Sequence, residues 1–87
     1  MMVIDEDLEI LLGAIYLFPY PFVPKKWLIC DGRSLPTAQY EPLFSLLGNT
    51  YGGDGKTTFA LPNLIGAEPH PNMKYCIAYS GIFPQRP

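Results

Sequence analysis

The sequence predicts a small, loop-rich α+β domain in which short β-strands surround one central helix. Apolar runs rich in aromatic and β-branched residues recur between prolines and glycines, as is typical of short strands. One segment near the middle, residues 40–47, carries apolar residues at helical spacing. Ten prolines and eight glycines without an internal repeat favour loops over long regular elements. With 87 residues, the chain makes one domain with a thin core.

The first predicted element is a short N-terminal helix. Asp5 or Asp7 can cap it and Gly13 would end it. Its apolar positions follow the helical spacing and are Ile4, Leu8, Leu11 and Leu12. An isolated short helix is marginal in water, so we expect this one to lie against a neighbouring subunit or, alternatively, its own domain. The sequence is therefore divided into an oligomerisation or docking segment, residues 1–11, and a domain, residues 12–87.

Four apolar runs are predicted to form strands, each ended by a turn or a proline. They are 14–18, 27–30, 57–61 and 73–79. Three prolines make residues 19–24 a loop, because proline lacks the N–H that a sheet ladder requires. The second strand is closed by the turn signal Asp31-Gly32.

The central helix is predicted to follow Thr37, its N-cap, and to stop at Gly48. Its apolar face consists of Tyr40, Leu43, Phe44 and Leu47. Trp27 is the only tryptophan and carries a large apolar surface. We therefore expect Trp27 to anchor the core by packing against this helix face.

The glycine-rich loop at 49–55 raises the question of nucleotide binding. The stretch Gly55-Lys56-Thr57 matches the end of the phosphate-loop pattern G-x-x-x-x-G-K-[ST], but Thr50 stands where the first glycine is required. A phosphate loop also leaves a strand and opens a helix, whereas here a helix comes first and a β-type run follows. The sequence therefore predicts no nucleotide site. The glycines are expected to allow a sharp turn with φ > 0; they are Gly52, Gly53 and Gly55.

Side chains suited to catalysis or metal binding are few. His70 is the only histidine and lies between prolines, which favours an exposed structural role. Asp31 and Asp54 stand in turn motifs, where an aspartate bonds its own backbone. Cys30 and Cys76 are too few for a disulfide framework or a zinc site; buried free thiols are favoured, and one disulfide is the alternative. We expect no catalytic site, no metal site, no cofactor and no enzyme activity.

The charge pattern restricts the classes of partner. The net charge is −2 and no basic run exceeds Lys25-Lys26, so nothing predicts nucleic-acid binding. The longest charge-free stretch, 10–24, is short and broken by prolines, which argues against membrane insertion. The acidic N-terminus differs from the start of a signal peptide. Because only 16% of the residues are charged, a large uncharged surface must remain, which favours an oligomer or a subunit of an assembly.

Several segments together carry the motifs of one known family. The main ones are Leu-Gly-Ala-Ile at 12–15, Trp-Leu-Ile-Cys-Asp-Gly at 27–32, Leu-Phe-Ser-Leu-Leu-Gly-Asn-Thr-Tyr-Gly-Gly-Asp-Gly at 43–55 and Thr-Phe-Ala-Leu-Pro-Asn-Leu at 58–64. They resemble the phage tail collar domain. The ending, 75–86, resembles related bacterial "microcystin-dependent" proteins. The structural motif positions are Trp27, Asp31, Gly32, Phe44, Tyr51, Gly52, Gly53, Asp54 and Gly55.

The resemblance implies a structural component of a bacteriophage tail, located in the virion tail. Such a fibre, collar or baseplate module joins virion parts or attaches fibres, often as a homotrimer. The implied partners are copies of itself, other phage tail proteins and, for host adhesion, a host surface receptor. The candidate assembly interface is Ile4, Leu8, Leu11, Leu12 and Phe22. The alternative is a free-standing bacterial relative that binds a small ligand or glycan through its aromatic side chains.

Two departures from the family pattern qualify this expectation. Lys26 stands where the family usually has glycine, which affects only the local turn. Family members also usually carry a long glycine- and histidine-rich insertion after the Leu-Pro-Asp-Leu segment. Here Leu64 and Met73 are nine residues apart. Since that insertion leads to the receptor-contacting part of fibres, the resemblance covers the collar body alone.

Overall fold

The computed structural model of the protein describes residues 10–85, along which short strands flank one α-helix. The elements are β1 (Ile15–Phe18), β2 (Trp27–Ile29), β3 (Ser34–Pro36), a 3₁₀ turn (Thr37–Gln39), α1 (Glu41–Leu47), β4 (Thr58–Ala60) and β5 (Lys74–Ala78). Antiparallel pairing of these strands, with one helix, confirms the predicted α+β class. The four predicted strands are β1, β2, β4 and β5, each slightly shorter than expected.

β5 occupies the middle of a three-stranded antiparallel sheet with the order β1-β5-β2. Ile77 of β5 lies opposite Ile15 of β1 on one side and Leu28 of β2 on the other. The last residues of β5 are fully covered, as befits a central strand with packing on both faces. A second, two-stranded sheet pairs β3 with β4, where Leu35 lies opposite Phe59.

The three-stranded sheet separates two apolar clusters, because successive side chains of a strand point to opposite faces. On the inner face, Ile77 belongs to the main core together with Leu43 of α1 and Phe59 of β4. On the outer face, Ala78 belongs to a smaller cluster with Trp27. Within residues 10–85, α1 therefore covers only the inner face of the sheet.

The helix α1 begins and ends where local chemistry favours it. Glu41 lies in the first turn, where a carboxylate interacts favourably with the helix dipole, and Pro42 stands where no intrahelical N–H bond is lost. Phe44 packs on Phe59 with ring centroids 5.4 Å apart. The helix stops at Gly48 as predicted, with a φ of 56° and an N–H that donates to the Phe44 carbonyl at 2.7 Å.

The predicted N-cap is wrong. α1 begins only at Glu41, after a 3₁₀ turn, and Tyr40 precedes it without a capping side-chain bond. The Thr37 hydroxyl instead donates to the Lys56 carbonyl at 2.7 Å, and the Thr37 N–H donates to the Thr57 carbonyl at 3.0 Å. Thr37 directly follows β3, so the nearest free acceptors belong to the loop that leads into β4. β3 itself was not predicted.

The position of Trp27 also corrects the prediction. The side chain is buried, with 6% exposed, but it lies in the outer cluster and not against α1. Its ring contacts Tyr16 and Phe18, with centroids 4.9 and 5.0 Å away. The reason is strand alternation: the next residue, Leu28, packs on the helix side, so Trp27 faces away from the helix.

Cys30 and Cys76 are buried free thiols, which confirms the favoured interpretation. Cys30 belongs to the main core and Cys76 to the outer cluster, so the sheet lies between the two side chains. Burial, helped by Cys76 and Asp31, raises the pKa of Cys30 to about 11. Burial also raises the pKa of Cys76. Both thiols therefore stay protonated near neutral pH.

The predicted N-terminal helix falls mostly outside the described residues, and Ile4 and Leu8 lie there. Leu11 forms a parallel bridge with Ile82, and Leu12 stands in a turn, so the helical prediction is wrong for these two. The reason is that the Leu12 N–H donates to the Ile82 carbonyl at 2.8 Å, which ties this stretch to the segment after β5. The division of the chain at residue 11 remains a prediction.

Candidate functional site

The loop that follows α1 is organised around the carboxylate of Asp54. Its Oδ1 accepts backbone N–H groups from Lys56, Thr57 and Thr58 at 2.7, 2.8 and 2.9 Å. Its Oδ2 accepts the Thr57 hydroxyl at 2.6 Å. The N–H of Asp54 donates in turn to the Thr58 hydroxyl at 3.2 Å. The segment 54–58 is thus a closed turn with its own polar groups paired.

These hydrogen bonds stabilise the charged carboxylate. They hold the pKa of Asp54 well below its usual range, and the Thr57 hydroxyl has the largest effect. In phosphate loops, backbone N–H groups that point to one position bind the anion. In this protein the anion is the Asp54 side chain itself, while the Lys56 side chain is exposed. The Gly-Lys-Thr sequence is therefore explained by the turn.

The glycines of the loop adopt φ > 0, as predicted. The values are 135° for Gly52, 89° for Gly53 and 74° for Gly55. Gly53 is the most constrained: a Cβ there would lie 2.5 Å from Phe59 Cα and 2.6 Å from the Thr58 carbonyl oxygen. The backbone of the loop therefore rests directly on the backbone of β4.

A second turn, at Asp31-Gly32, joins β2 to the segment after β4. The Arg33 guanidinium donates two hydrogen bonds to the Asp31 carboxylate, both 2.9 Å long, and lowers the pKa of that carboxyl. The Gly32 N–H donates to the Pro62 carbonyl at 3.2 Å, and Asp31 pairs with Asn63 in an antiparallel bridge. The Asp-Gly and Leu-Pro-Asn-Leu motifs, distant in sequence, thus form one unit.

Aromatic side chains form a continuous row along the outer face of the sheet and the proline loop. This aromatic row consists of Tyr16, Phe18, Tyr20, Phe22 and Trp27. Tyr20 stacks on Phe22 with centroids 4.3 Å apart and lies 5.5 Å from Phe18, which in turn contacts Trp27. Tyr16 is 50% exposed and Phe22 is 62% exposed. The row therefore leads from a buried tryptophan to open solvent.

The structure separates the residues predicted to form an assembly interface. Leu11 and Phe22 are exposed, at 54% and 62%. Leu12 is 4% exposed and belongs to the main core, so its prediction as an interface residue is wrong. The physical reason is that Leu12 faces inward where its backbone pairs with the chain after β5, while Leu11 faces outward. Ile4 and Leu8 lie outside the described residues.

Sequence reasoning missed an exposed apolar pair beside Leu11. The Ile82 N–H donates to the Ile10 carbonyl at 2.8 Å, which brings the segment after β5 next to residues 10–12. Ile82 and Phe83 are 45% and 46% exposed. The signal in the sequence is the apolar run after Gly81, but only the long-range pairing shows that it adjoins Leu11.

Metal binding and membrane spanning find no support among residues 10–85. No group of three or more His, Cys, Asp or Glu side chains in that range is placed to hold a metal ion. His70 is exposed, and its Nδ1 accepts the Asn72 N–H at 3.1 Å within a surface turn. No helix in the same range has the length and apolarity to cross a bilayer.

The fold and its interlocked turns define a small structural module. Residues 13–69, which are 57 of the 87, match the sequence profile of the Phage Tail Collar Domain family. The chain therefore belongs to this family, and at the level of the family it is a structural module of the tail-fibre type. The match confirms the resemblance and contains both the Asp31-Gly32 turn and the Asp54 loop. Searches of curated proteins and of solved structures found no match to the chain.

Proposed function

We propose that this protein is a structural component of a bacteriophage virion tail, without enzyme activity. It would act in a fibre, collar or baseplate, where it mediates assembly or fibre attachment. Membership of the Phage Tail Collar Domain family supports the tail role at a coarse level. The observation that carries the finer proposal is the amount of apolar surface that remains exposed on a domain of this size.

The exposed apolar surface is distributed over several elements. Its large side chains are Leu11, Ile15, Tyr16, Phe22, Val23, Tyr51, Ile65, Ile82 and Phe83. Single exposed apolar residues are ordinary, but grouped ones mark interaction sites. Leu11 and Ile82 are grouped by their backbone bridge, with Phe83 following in the chain, and Phe22 ends the aromatic row. These groups suit contacts with other proteins.

The proposed partners are copies of the chain itself and other phage tail proteins. A homotrimer is the form that the family resemblance favours, and the surface around Leu11 and Ile82 is the candidate for its three-fold contact. Adhesion to a host surface receptor would then be a property of the assembled fibre.

Sedimentation of the full chain tests the self-assembly. A trimer or a multiple of three copies is expected, and Leu11→Asp should abolish the three-fold assembly because a charge would be buried in the contact. Ile65→Asp is the matched control, since Ile65 is 56% exposed and lies in the loop after β4, which no backbone hydrogen bond joins to residues 10–12 or to Ile82. A monomeric wild-type chain, or equal effects of both substitutions, would reject the three-fold contact at Leu11. Co-purification with tail particles tests the virion role.

A second candidate function is favoured by the aromatic row. Exposed aromatic rings such as Tyr16 and Phe22 can stack on sugars, which fits a free-standing relative that binds a glycan or a small ligand. Trp27 lies 4.9 Å from Tyr16, so its fluorescence would report a ligand on that ring. A saturable fluorescence change on glycan titration, lost in Tyr16→Ala, would favour this function over the assembly role.

A further inference from the structure

Among residues 10–85, no strand pairs with the outer edge of β1, and the backbone groups of that edge are available. The Ala78 N–H donates to the Ala14 carbonyl at 2.9 Å, which marks Ala14 and Ala78 as a hydrogen-bonded pair. Such pairs alternate along an antiparallel ladder, so Tyr16 and Phe18 also direct their backbone groups toward β5. Ile15 and Leu17 therefore direct their N–H and C=O groups away from the sheet. Among the described residues, no backbone bond outside the ladder reaches them.

Turns occupy part of the opposite edge of the same sheet. The Trp27 N–H donates to the Pro24 carbonyl at 3.2 Å, and the Ile29 carbonyl accepts the Asp31 N–H at 3.0 Å. These are two of the four backbone groups of β2 that point away from β5. The two edges therefore differ, because turns occupy half of the outward groups of β2 and none of those of β1 among the described residues.

β1 also lacks the usual protection of an edge strand. In natural sheets, charged side chains commonly keep an edge strand from pairing with another chain, and the stretch 10–24 contains no charged residue. Ile15 and Tyr16 are 40% and 50% exposed. Pro19 follows directly after the strand and limits further pairing, because it has no N–H. An occupant of this edge would therefore be short, extended and uncharged.

The spacing of the outward-facing groups makes β1 complementary to itself. Ile15 and Leu17 stand symmetrically about Tyr16, so a second β1 can run antiparallel with its Leu17 opposite Ile15 and its Ile15 opposite Leu17. Each of these pairs exchanges both hydrogen bonds of an antiparallel ladder. Every outward-facing group of the strand then has a partner.

We propose that β1 pairs antiparallel with β1 of a second copy of this chain, about a two-fold axis that passes at Tyr16. The pairing joins two three-stranded sheets into one continuous sheet. The two Tyr16 residues form a non-hydrogen-bonded pair, in which side chains approach most closely. Since Tyr16 already contacts Trp27, the aromatic row continues from one copy to the other.

This contact is independent of the three-fold contact proposed above. It uses β1, whereas the three-fold contact uses the surface around Leu11 and Ile82. β1 pairing alone gives a dimer, and both contacts together give a hexamer of two trimers where the two-fold axis crosses the three-fold axis at a right angle. Loss of one contact therefore leaves the other measurable by mass.

Cross-linking through Tyr16→Cys is the first test. In a non-hydrogen-bonded pair the two Cα atoms lie about 4.5 Å apart, within the range of a disulfide. Mild oxidation should convert most of the full-length variant to a covalent dimer. Ser45→Cys is the control, because Ser45 is exposed on α1, and Cys30 and Cys76 are buried. Equal cross-linking at 16 and 45, or none at 16, would overturn the proposal.

A charge-swap experiment tests the self-pairing directly. Because residue 16 faces its own copy, Tyr16→Lys and Tyr16→Glu should each abolish the two-fold contact, through like charges placed opposite one another. Mixing the two variants should restore the two-fold contact, in a complex that contains equal numbers of the two variants. Sedimentation at concentrations on the order of 100 µM would detect even a weak contact. Failure of the mixture to associate more than either variant alone would contradict pairing about Tyr16.

The segment 1–9 is the alternative occupant of this edge. If it covered β1, the full chain would not cross-link at position 16, whereas a chain without residues 1–9 would. That result would overturn the pairing of copies. Equal cross-linking with and without the segment supports it.

Discussion

Gly53→Ala is predicted to destabilise the domain far more than an alanine at another glycine of similar backbone angle. Gly53 has a φ of 89° and Gly66 a φ of 93°. A Cβ at Gly66 would meet nothing within 4 Å, whereas a Cβ at Gly53 would lie 2.5 Å from Phe59 Cα. The two substitutions thus share the backbone strain and differ in the steric contact.

The expected magnitudes follow from these two terms. An alanine in the left-handed region costs about 1–2 kcal/mol at either position. At Gly53 an overpacking cost of about 1–3 kcal/mol is added, because the colliding atoms belong to the backbone of β4 and cannot rotate away. Phe59 is fully buried, so β4 cannot shift without disturbing the main core. The restriction that alanine places on the unfolded chain is the same in both variants and cancels in the comparison.

Urea unfolding followed by fluorescence is the assay, since Trp27 is the only tryptophan and is buried. Gly53→Ala should lose about 2–5 kcal/mol of a total that is on the order of 4–13 kcal/mol for a chain of this length. Gly66→Ala should lose about 1–2 kcal/mol. Equal losses for the two variants would refute the contact between the loop and β4 as the reason for glycine at position 53.

Four further predictions concern single side chains. Trp27→Ala should cost about 3–5 kcal/mol in urea unfolding followed by circular dichroism, because it removes the centre of the outer cluster; an unchanged midpoint would contradict this. Lys26→Gly should raise the free energy of unfolding by about 0.5–1 kcal/mol, because Lys26 has a φ of 71° and glycine adopts this angle without strain. The strain that is removed exceeds the conformational entropy that glycine adds to the unfolded chain. A loss of stability would show that the lysine side chain matters. Lys56→Ala should change stability by less than about 0.5 kcal/mol, as for other exposed sites, and nucleotide binding lost with this change would overturn the account of the loop. The pKa of Asp54 is lowered in the folded protein, so its ionised carboxylate stabilises the fold fully above about pH 4, the pKa of an aspartate in the unfolded chain. This stabilisation declines as the pH falls toward the lower pKa of the folded state. The difference in urea midpoint between wild type and Asp54→Asn should therefore shrink below about pH 4, and a constant difference would contradict the prediction.

Local patterns were sufficient to predict the turns. Asp54-Gly55 and Asp31-Gly32 were both assigned to turns in which an aspartate bonds backbone groups, and both do so. Gly48 was correctly placed at the end of the helix. These predictions depend on residues close in sequence, whose geometry is set by glycine and by short polar side chains. The number of N–H groups that one Asp54 oxygen accepts, three in succession, could not be predicted, because it depends on how the glycines turn the chain.

Features that depend on long-range pairing were predicted less well. Strand alternation indicates that Trp27 and Leu28 face opposite sides, but only the tertiary packing shows that Leu28 is on the side of α1. In the sequence, Leu11 and Leu12 fit the apolar stripe of a helix equally well. Only the bridge between Leu11 and Ile82 shows that Leu11 is exposed and Leu12 is buried. β3 was missed because it has three residues and ends in a proline.

The exposure of the aromatic row follows from the number of layers in the fold. A sheet has two faces, and the one α-helix among residues 10–85 covers the inner face with Leu43. The outer face is covered by partly buried side chains, Ile10 and Phe18, that pack around Trp27. Aromatic residues are suited to this position because they bury much area against their neighbours and still present a ring to solvent. The row therefore packs on the sheet on one side and exposes the rings of Tyr16 and Phe22 to solvent on the other. Tyr16 stands on the edge strand β1, so it is exposed at the border of the sheet.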